Sequence, residues 1–101
     1  MKLLEQTYIA NLPLANRMVM APMTRSRADD NGIVSPLTAL YYKQRSTAGL
    51  IISEGINISQ QAKGTPFTPG IYNQSQIEAW KKVTDTVHEA GGKIFAHCIV
   101  I

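Results

Sequence analysis

A chain of 101 residues has room for one small domain, taken here as 1–101, and 45% hydrophobic against 17% charged residues excludes a disordered polymer. The net charge of +3 comes from basic residues scattered from Arg17 to Lys93 with no clustered run, which excludes a nucleic-acid partner of the usual electrostatic kind. One cysteine, Cys98, excludes an internal disulfide, and no window approaches the ~18 uninterrupted apolar residues of a membrane span. The opening MKLLEQTYIA breaks at Glu5 before any apolar stretch of signal length, so a cytoplasmic protein with no membrane partner is expected.

TYIANLPLANR pairs short apolar stretches around Asn11 and Pro13 and predicts a small hairpin before the main fold. RMVMAPM, closed by Pro22, reads as a first buried strand. SPLTALYYKQRSTAG predicts a helix with Ser35 as cap, Pro36 at its first position and Gly49 just past its end. Leu37, Leu40, Tyr41 and Ala48 would form its apolar face. GLIISEGINIS predicts a second strand that turns polar at Ser53 and Glu54, and residues 60–72 form a long loop punctuated by Gly64, Pro66, Pro69 and Gly70. NQSQIEAWKKVTDTVHEAGG predicts a second helix, capped by Asn73 with Gln76 or by Ser75 with Glu78, and stopped by Gly91. Its buried stripe is expected at Ile77, Trp80, Val83, Thr84 and Val87. KIFAHCIVI is the third strand. The order β-α-β-α-β predicts a parallel sheet with right-handed crossovers.

In parallel α/β folds, sites gather beyond the C-terminal ends of strands, where loops are free to vary. Those ends here carry APMTRSR and SEGINIS, which would bring Thr24, Arg25, Ser53 and Glu54 to one end of the sheet. For the residues alone, a solvated strand end explains Thr24 and Arg25 more simply than a ligand does. Gly55 fits a bulge as well as a ligand contact, and Glu54 fits a salt bridge as well as an acid. No GxGxxG or P-loop pattern is present, so a nucleotide phosphate site has no motif behind it. His88 and His97 lack partners at ligand spacing and no metal is expected. His97 and Cys98 are adjacent on a strand, so they point to opposite faces and make no Cys–His pair.

The stretches NRMVMAPMTRSRA, YYKQRSTAGLIISEG and TPGIYNQSQIEAWKKVTDTVHEAGGKIFA, in this order and spacing, resemble the N-terminal part of the old yellow enzyme family. The resemblance runs from about Thr7 to Ala96. It implies a fold class of α/β, a partial (β/α)8 TIM barrel made of an N-terminal hairpin plus β-α-β-α-β. It implies FMN as cofactor and NAD(P)H as hydride donor, with reduction of a small activated alkene or similar electrophile. The segment matching Ala21, Pro22, Met23 and Thr24 would run along the flavin ring, with the Thr24 hydroxyl at its O4/N5 edge, and Gly55 would also contact the ring. A donor at that edge stabilises the charge of the reduced flavin.

Two departures accompany the resemblance. The family's third strand carries a flavin-bonding Gln where this chain has His97, and the remaining tail does not follow the pattern. The substrate-holding His/Asn or His/His pair, the proton-donating Tyr and the phosphate-binding groups of the family come from later strands. The chain is therefore expected to be a truncated N-terminal part of the barrel, inactive alone and with no catalytic residue of its own. A change of reading frame after Ala96, a split gene and a remnant are the routes to such a chain. The rival reading is an inert fragment, or a half-barrel completed by a second chain.

Overall fold

The structure is a computed structural model that describes residues 2–99. Strands β1 (Thr7–Ile9) and β2 (Leu12–Leu14) form an antiparallel hairpin, as the sequence predicts, with Ala10 taking the positive φ of its turn. The main sheet has the order β3 (Val19–Met20), β4 (Leu50–Asn57) and β5 (Ile94–Ile99), and both pairings are parallel. Helices α1 (Pro36–Lys43) and α2 (Gln74–Glu89) make the crossovers. The β-α-β-α-β reading holds.

Both helices cover one face of the sheet. Val34, Tyr42, Ile51, Ile56, Trp80, Val83 and Val87 close into a single buried cluster between the layers. The opposite face carries Gly55, His97 and Ile99, because register pairs Gly55 with His97 and Asn57 with Ile99. An irregularity between Ile52 and Gly55 interrupts the ladder there. The Ser53 hydroxyl fills the gap: it donates to the Glu54 carbonyl at 2.9 Å and accepts from the His97 amide at 3.1 Å.

Several expectations need correction. The first strand is short and not buried, with Val19 48% exposed, because it pairs on one side only among the described residues. Helix α1 ends at Lys43, so Gly49 is no helix stop. Gly49 instead sits against the Asn16 carbonyl, where a Cβ would collide, and its amide donates to Asn16 Oδ1 at 2.8 Å. The buried residues of α1 are Thr38 and Tyr42, while Leu37 and Leu40 are exposed. Ser35 stands at the N-cap without a side-chain cap bond.

Helix α2 follows the sequence more closely. Asn73 caps it by accepting from the Gln76 amide at 2.9 Å. At the other end Gly91 takes φ +83°, and the amides of Gly91 and Gly92 donate to His88 and Val87 in a Schellman closure. Within the stripe, Ile77 is exposed and Gln76 is fully buried in its place. The amide of Gln76 reaches out of α2: its Oε1 accepts from the Tyr72 backbone at 3.0 Å and its Nε2 donates to the Asn31 carbonyl at 2.7 Å. The long loop is ordered. A short 3-10 turn at Gln60–Ala62 and a bridge between Asn57 and Gly70 fold it back over the end of β4. Among the described residues no helix is long and apolar enough to cross a membrane.

Candidate functional site

Ala21, Pro22, Met23 and Thr24 leave the C-terminal end of β3 as an exposed, irregular run. Proline at its second position fixes the local path and removes an amide donor. The run returns to the packed fold at Ala28, which is buried and donates its amide to the Phe67 carbonyl at 3.0 Å. Between these points Ser26 adopts φ 52°, a left-handed conformation that non-glycine residues take only when neighbours hold them there.

Gly55 lies inside β4 on the face turned away from the helices. A Cβ there would meet the end of the Ile99 side chain, so Ile99 covers the space that the missing side chain leaves. The two predicted parts of the flavin bed therefore differ. The Ala21–Thr24 run is open to a planar ring along its backbone. Gly55 is occupied by a methyl group that must turn aside before a ring can reach it. His97, in register with Gly55, is exposed beside it.

Ser53 and Glu54 do not sit at the end of the strand as the sequence reading had them; β4 continues through Asn57 and buries both. Glu54 is only 3% exposed. Its carboxylate accepts from the Tyr42 hydroxyl at 3.1 Å, and that hydroxyl accepts in turn from the Glu54 amide at 2.9 Å. Arg25 lines the same cavity as Glu54, and its positive charge there favours the ionised carboxylate. Burial pushes the Glu54 carboxyl above the ordinary carboxylate range, and the Tyr42 and Arg25 interactions oppose that rise without cancelling it. Burial likewise pushes the Tyr42 phenol above its ordinary value.

The Arg25 guanidinium stacks over the Tyr41 ring at 4.2 Å, and Arg45 lies over the same ring at 3.9 Å. Glu54, Arg25, Arg27, Thr38 and Tyr41 line a cavity of about 240 Å³ beside α1. So the structure does bring Arg25 and Glu54 together, and it leaves Ser53 apart in the sheet's irregularity. Tyr42 is the residue that sequence reasoning missed here, and Tyr41, expected only on the apolar face of α1, also lies under both arginines. Tyr42 had one visible signal: a tyrosine four places after Thr38 on a short helix shares its face. No group of three or more His, Cys, Asp or Glu able to hold a metal occurs among the described residues.

A parallel β-α-β-α-β unit whose first strand ends in an exposed backbone run defines an α/β protein, the class in which sites gather at the C-terminal ends of the strands. The model of the NADH:flavin oxidoreductase / NADH oxidase family matches residues 2–100, and the chain belongs to that family. The match passes Ala96, where the motif resemblance stops, and continues through residues of the third strand. The chain is 54% identical over 83 residues to 12-oxophytodienoate reductase 7 of Oryza sativa subsp. japonica, covering 81% of this chain and 21% of that protein. It is 40% identical over 93 residues to a probable flavin mononucleotide-dependent alkene reductase of Leishmania infantum, covering 92% of this chain and 26% of that one. The old yellow enzyme homologue from Zymomonas mobilis superposes with a TM-score of 0.96 at 42% identity, over 100% of this chain and 28% of its own. Morphinone reductase in complex with tetrahydroNAD gives 0.94 at 42% identity, over 98% and 27%. The chain thus spans about a quarter of the relatives it matches, and its fold is part of their α/β barrel.

Proposed function

We propose that this chain supplies the first strands of an FMN-dependent NAD(P)H oxidoreductase that reduces a small activated alkene or similar electrophile. The observation that carries the reading is the exposed Ala21–Thr24 run at the C-terminal end of β3 within a family match over residues 2–100. Ala21, Pro22, Met23 and Thr24 would hold the flavin ring along their backbone, with the Thr24 hydroxyl as a donor to its polar edge and Gly55 as the second contact. FMN, when bound, supplies the carrier that takes hydride from NAD(P)H and passes it to the electrophile. The chain's own part is to bed and orient that ring. None of these groups is an acid or a base, so proton transfer and substrate capture fall to groups elsewhere in the complete barrel. A cytoplasmic setting, where Cys98 stays a thiol, suits this chemistry.

One observation favours the non-catalytic rival, an inert fragment or a half-barrel completed by a second chain: Ile99 covers Gly55. A chimera separates the two. Residues 2–99 replace the matching part of the Zymomonas mobilis old yellow enzyme homologue, and flavin content and alkene reduction are measured, with Ile99 kept and with Ile99→Ala. The flavin reading expects FMN in at least the Ile99→Ala chimera, and a slower reductive step on Thr24→Val. A folded chimera that carries no FMN in either form overturns the reading.

A further inference from the structure

The cavity of about 240 Å³ beside α1 lies on the helix side of β4, where Glu54 meets Tyr42, and the flavin bed described above leaves it unused. Arg25 and Arg27 both line it, and Ser26 between them takes φ 52°. Neither arginine is neutralised: among the described residues the only ion pair is that of Lys81 with Asp85. Arg25 lays its guanidinium on the face of Tyr41 at 4.2 Å, which fixes its position and leaves its N–H donors without an acceptor among the described contacts. Arg27 donates only to the carbonyls of Arg25 and Ser26, at 3.4 and 3.5 Å, from one of its nitrogens. Thr38 of α1 is 7% exposed and lines the same cavity, and its hydroxyl has no hydrogen-bond partner among the described residues. That oxygen is not sealed in, since Trp80 Nε1 is the only sealed side-chain nitrogen or oxygen without a partner among them, so it opens on the cavity. Leu37 and the Tyr41 ring supply apolar wall. Glu54 is the one acid there, and its Oε2 is taken by the Tyr42 hydroxyl.

We propose that this cavity binds a small organic carboxylate with an apolar body: the Arg25 and Arg27 guanidiniums and the Thr38 hydroxyl take the carboxylate, and Leu37 and Tyr41 cover the body. A guanidinium fork meets a planar carboxylate with two parallel N–H···O bonds, which a compact ammonium cannot do. Holding Arg25 on the Tyr41 ring beforehand removes side-chain ordering that binding would otherwise cost. The first turn of α1 borders the cavity through Leu37 and Thr38, so the positive end of the helix dipole adds to the attraction. Glu54 sets one negative charge against the two positive ones, and burial weakens its opposition by favouring the uncharged form. The surplus of one positive charge matches a singly charged carboxylate better than a dianionic phosphate. A volume of about 240 Å³, below that of a drug-sized pocket, suits a ligand of roughly ten non-hydrogen atoms.

Cyclohexanecarboxylate is titrated against the full 101-residue chain without FMN, and binding is followed by broadening of the ligand's own proton NMR signals. Saturable binding is expected, with a Kd of about 1 mM or tighter. Arg27→Met, on an exposed side chain, is expected to weaken it roughly tenfold, and Thr38→Val, of nearly the same shape, roughly threefold. Arg17→Met removes an equal charge outside the cavity and should leave the Kd within about twofold. Circular dichroism checks that each variant keeps its helices, and either of the two cavity variants reads the site if the other unfolds. The assignment is overturned if no saturation appears up to about 20 mM. It is equally overturned if neutral cyclohexylmethanol or inorganic phosphate binds as tightly as the carboxylate, or if Arg17→Met weakens binding as much as Arg27→Met. FMN takes no part in the assay, so its outcome is independent of whether the flavin chimera loads.

Discussion

Strands β4 and β5 read alike in sequence and behave differently in the fold. LIISEGIN contains a serine, a glutamate, a glycine and an asparagine, yet seven of its eight positions are buried. IFAHCI is the more apolar run, and its four central residues are exposed. The difference lies in their neighbours. β4 has a strand on each side, two helices on one face, and the loop around Gly70 folded over its end. β5 has β4 on one side only among the described residues. Burial is conferred by position in the sheet, and a polar residue at the centre is buried together with its partners, as Glu54 is with Tyr42 and Ser53 with His97. An apolar residue on the edge strand, as Phe95 is, can stay in water whatever its hydropathy.

The sharpest way to break this contrast is a matched pair of truncations. Ile51→Ala empties a position with no exposure and is expected to cost about 2–5 kcal/mol, whereas Phe95→Ala, at 50% exposed, should lie within about 0.5 kcal/mol of the parent. Urea midpoints measure both, and equal losses would remove the distinction. The edge should announce itself in association instead of stability. Val19, at 48% exposure, and Phe95 present apolar side chains on strands that each pair on one side, so the 101-residue chain made by itself is expected to self-associate at micromolar concentration. Light scattering should show a shift toward monomer when both become lysine. A monomer from the outset, melting cooperatively, would contradict this.

Smaller effects refine the picture at the helix and the buried pair. Asn73→Ala removes the cap on α2 and is expected to lower stability by about 1 kcal/mol, read from the thermal midpoint. The pH dependence of Glu54 has a definite sign. Its folded-state pKa is raised, so between the ordinary carboxylate value and that raised value the folded chain binds more protons than the unfolded one. Stability from this group is therefore greatest below the ordinary value, falls as pH climbs through the raised one, and is level above it. Denaturation curves across mildly acidic pH should show that decline, and Glu54→Gln should flatten it. The smallest effect belongs to Lys81, whose 2.8 Å pair with Asp85 lies in solvent on α2. Lys81→Ala is expected to leave the melting temperature unmoved in moderate salt.

Much of this protein is determined by local chemistry and was legible in the residues alone. Asn73 and Gly91 bracket α2 because a side-chain acceptor and a left-handed glycine satisfy backbone groups within a few residues, with no help from elsewhere. The alternation of apolar runs with helical stretches likewise marked out the β-α-β-α-β order of elements along the chain. The exposed run Ala21–Thr24 lay where a strand ends, and the ordered motifs around it carried the family resemblance. Tertiary structure decided the rest, because burial and pairing depend on residues far apart in the chain. It turned the covered face of α1 toward Thr38 and Tyr42 and left Leu37 and Leu40 in solvent, since the side of a short helix that faces the sheet is set by where the sheet lies. It drew Gln76 inward past Ile77 to bond Asn31 and Tyr72. It placed Ile99 over Gly55, and it set Glu54 against Tyr42. No periodicity encodes such contacts: they exist only once strands and helices from separate parts of the chain have packed.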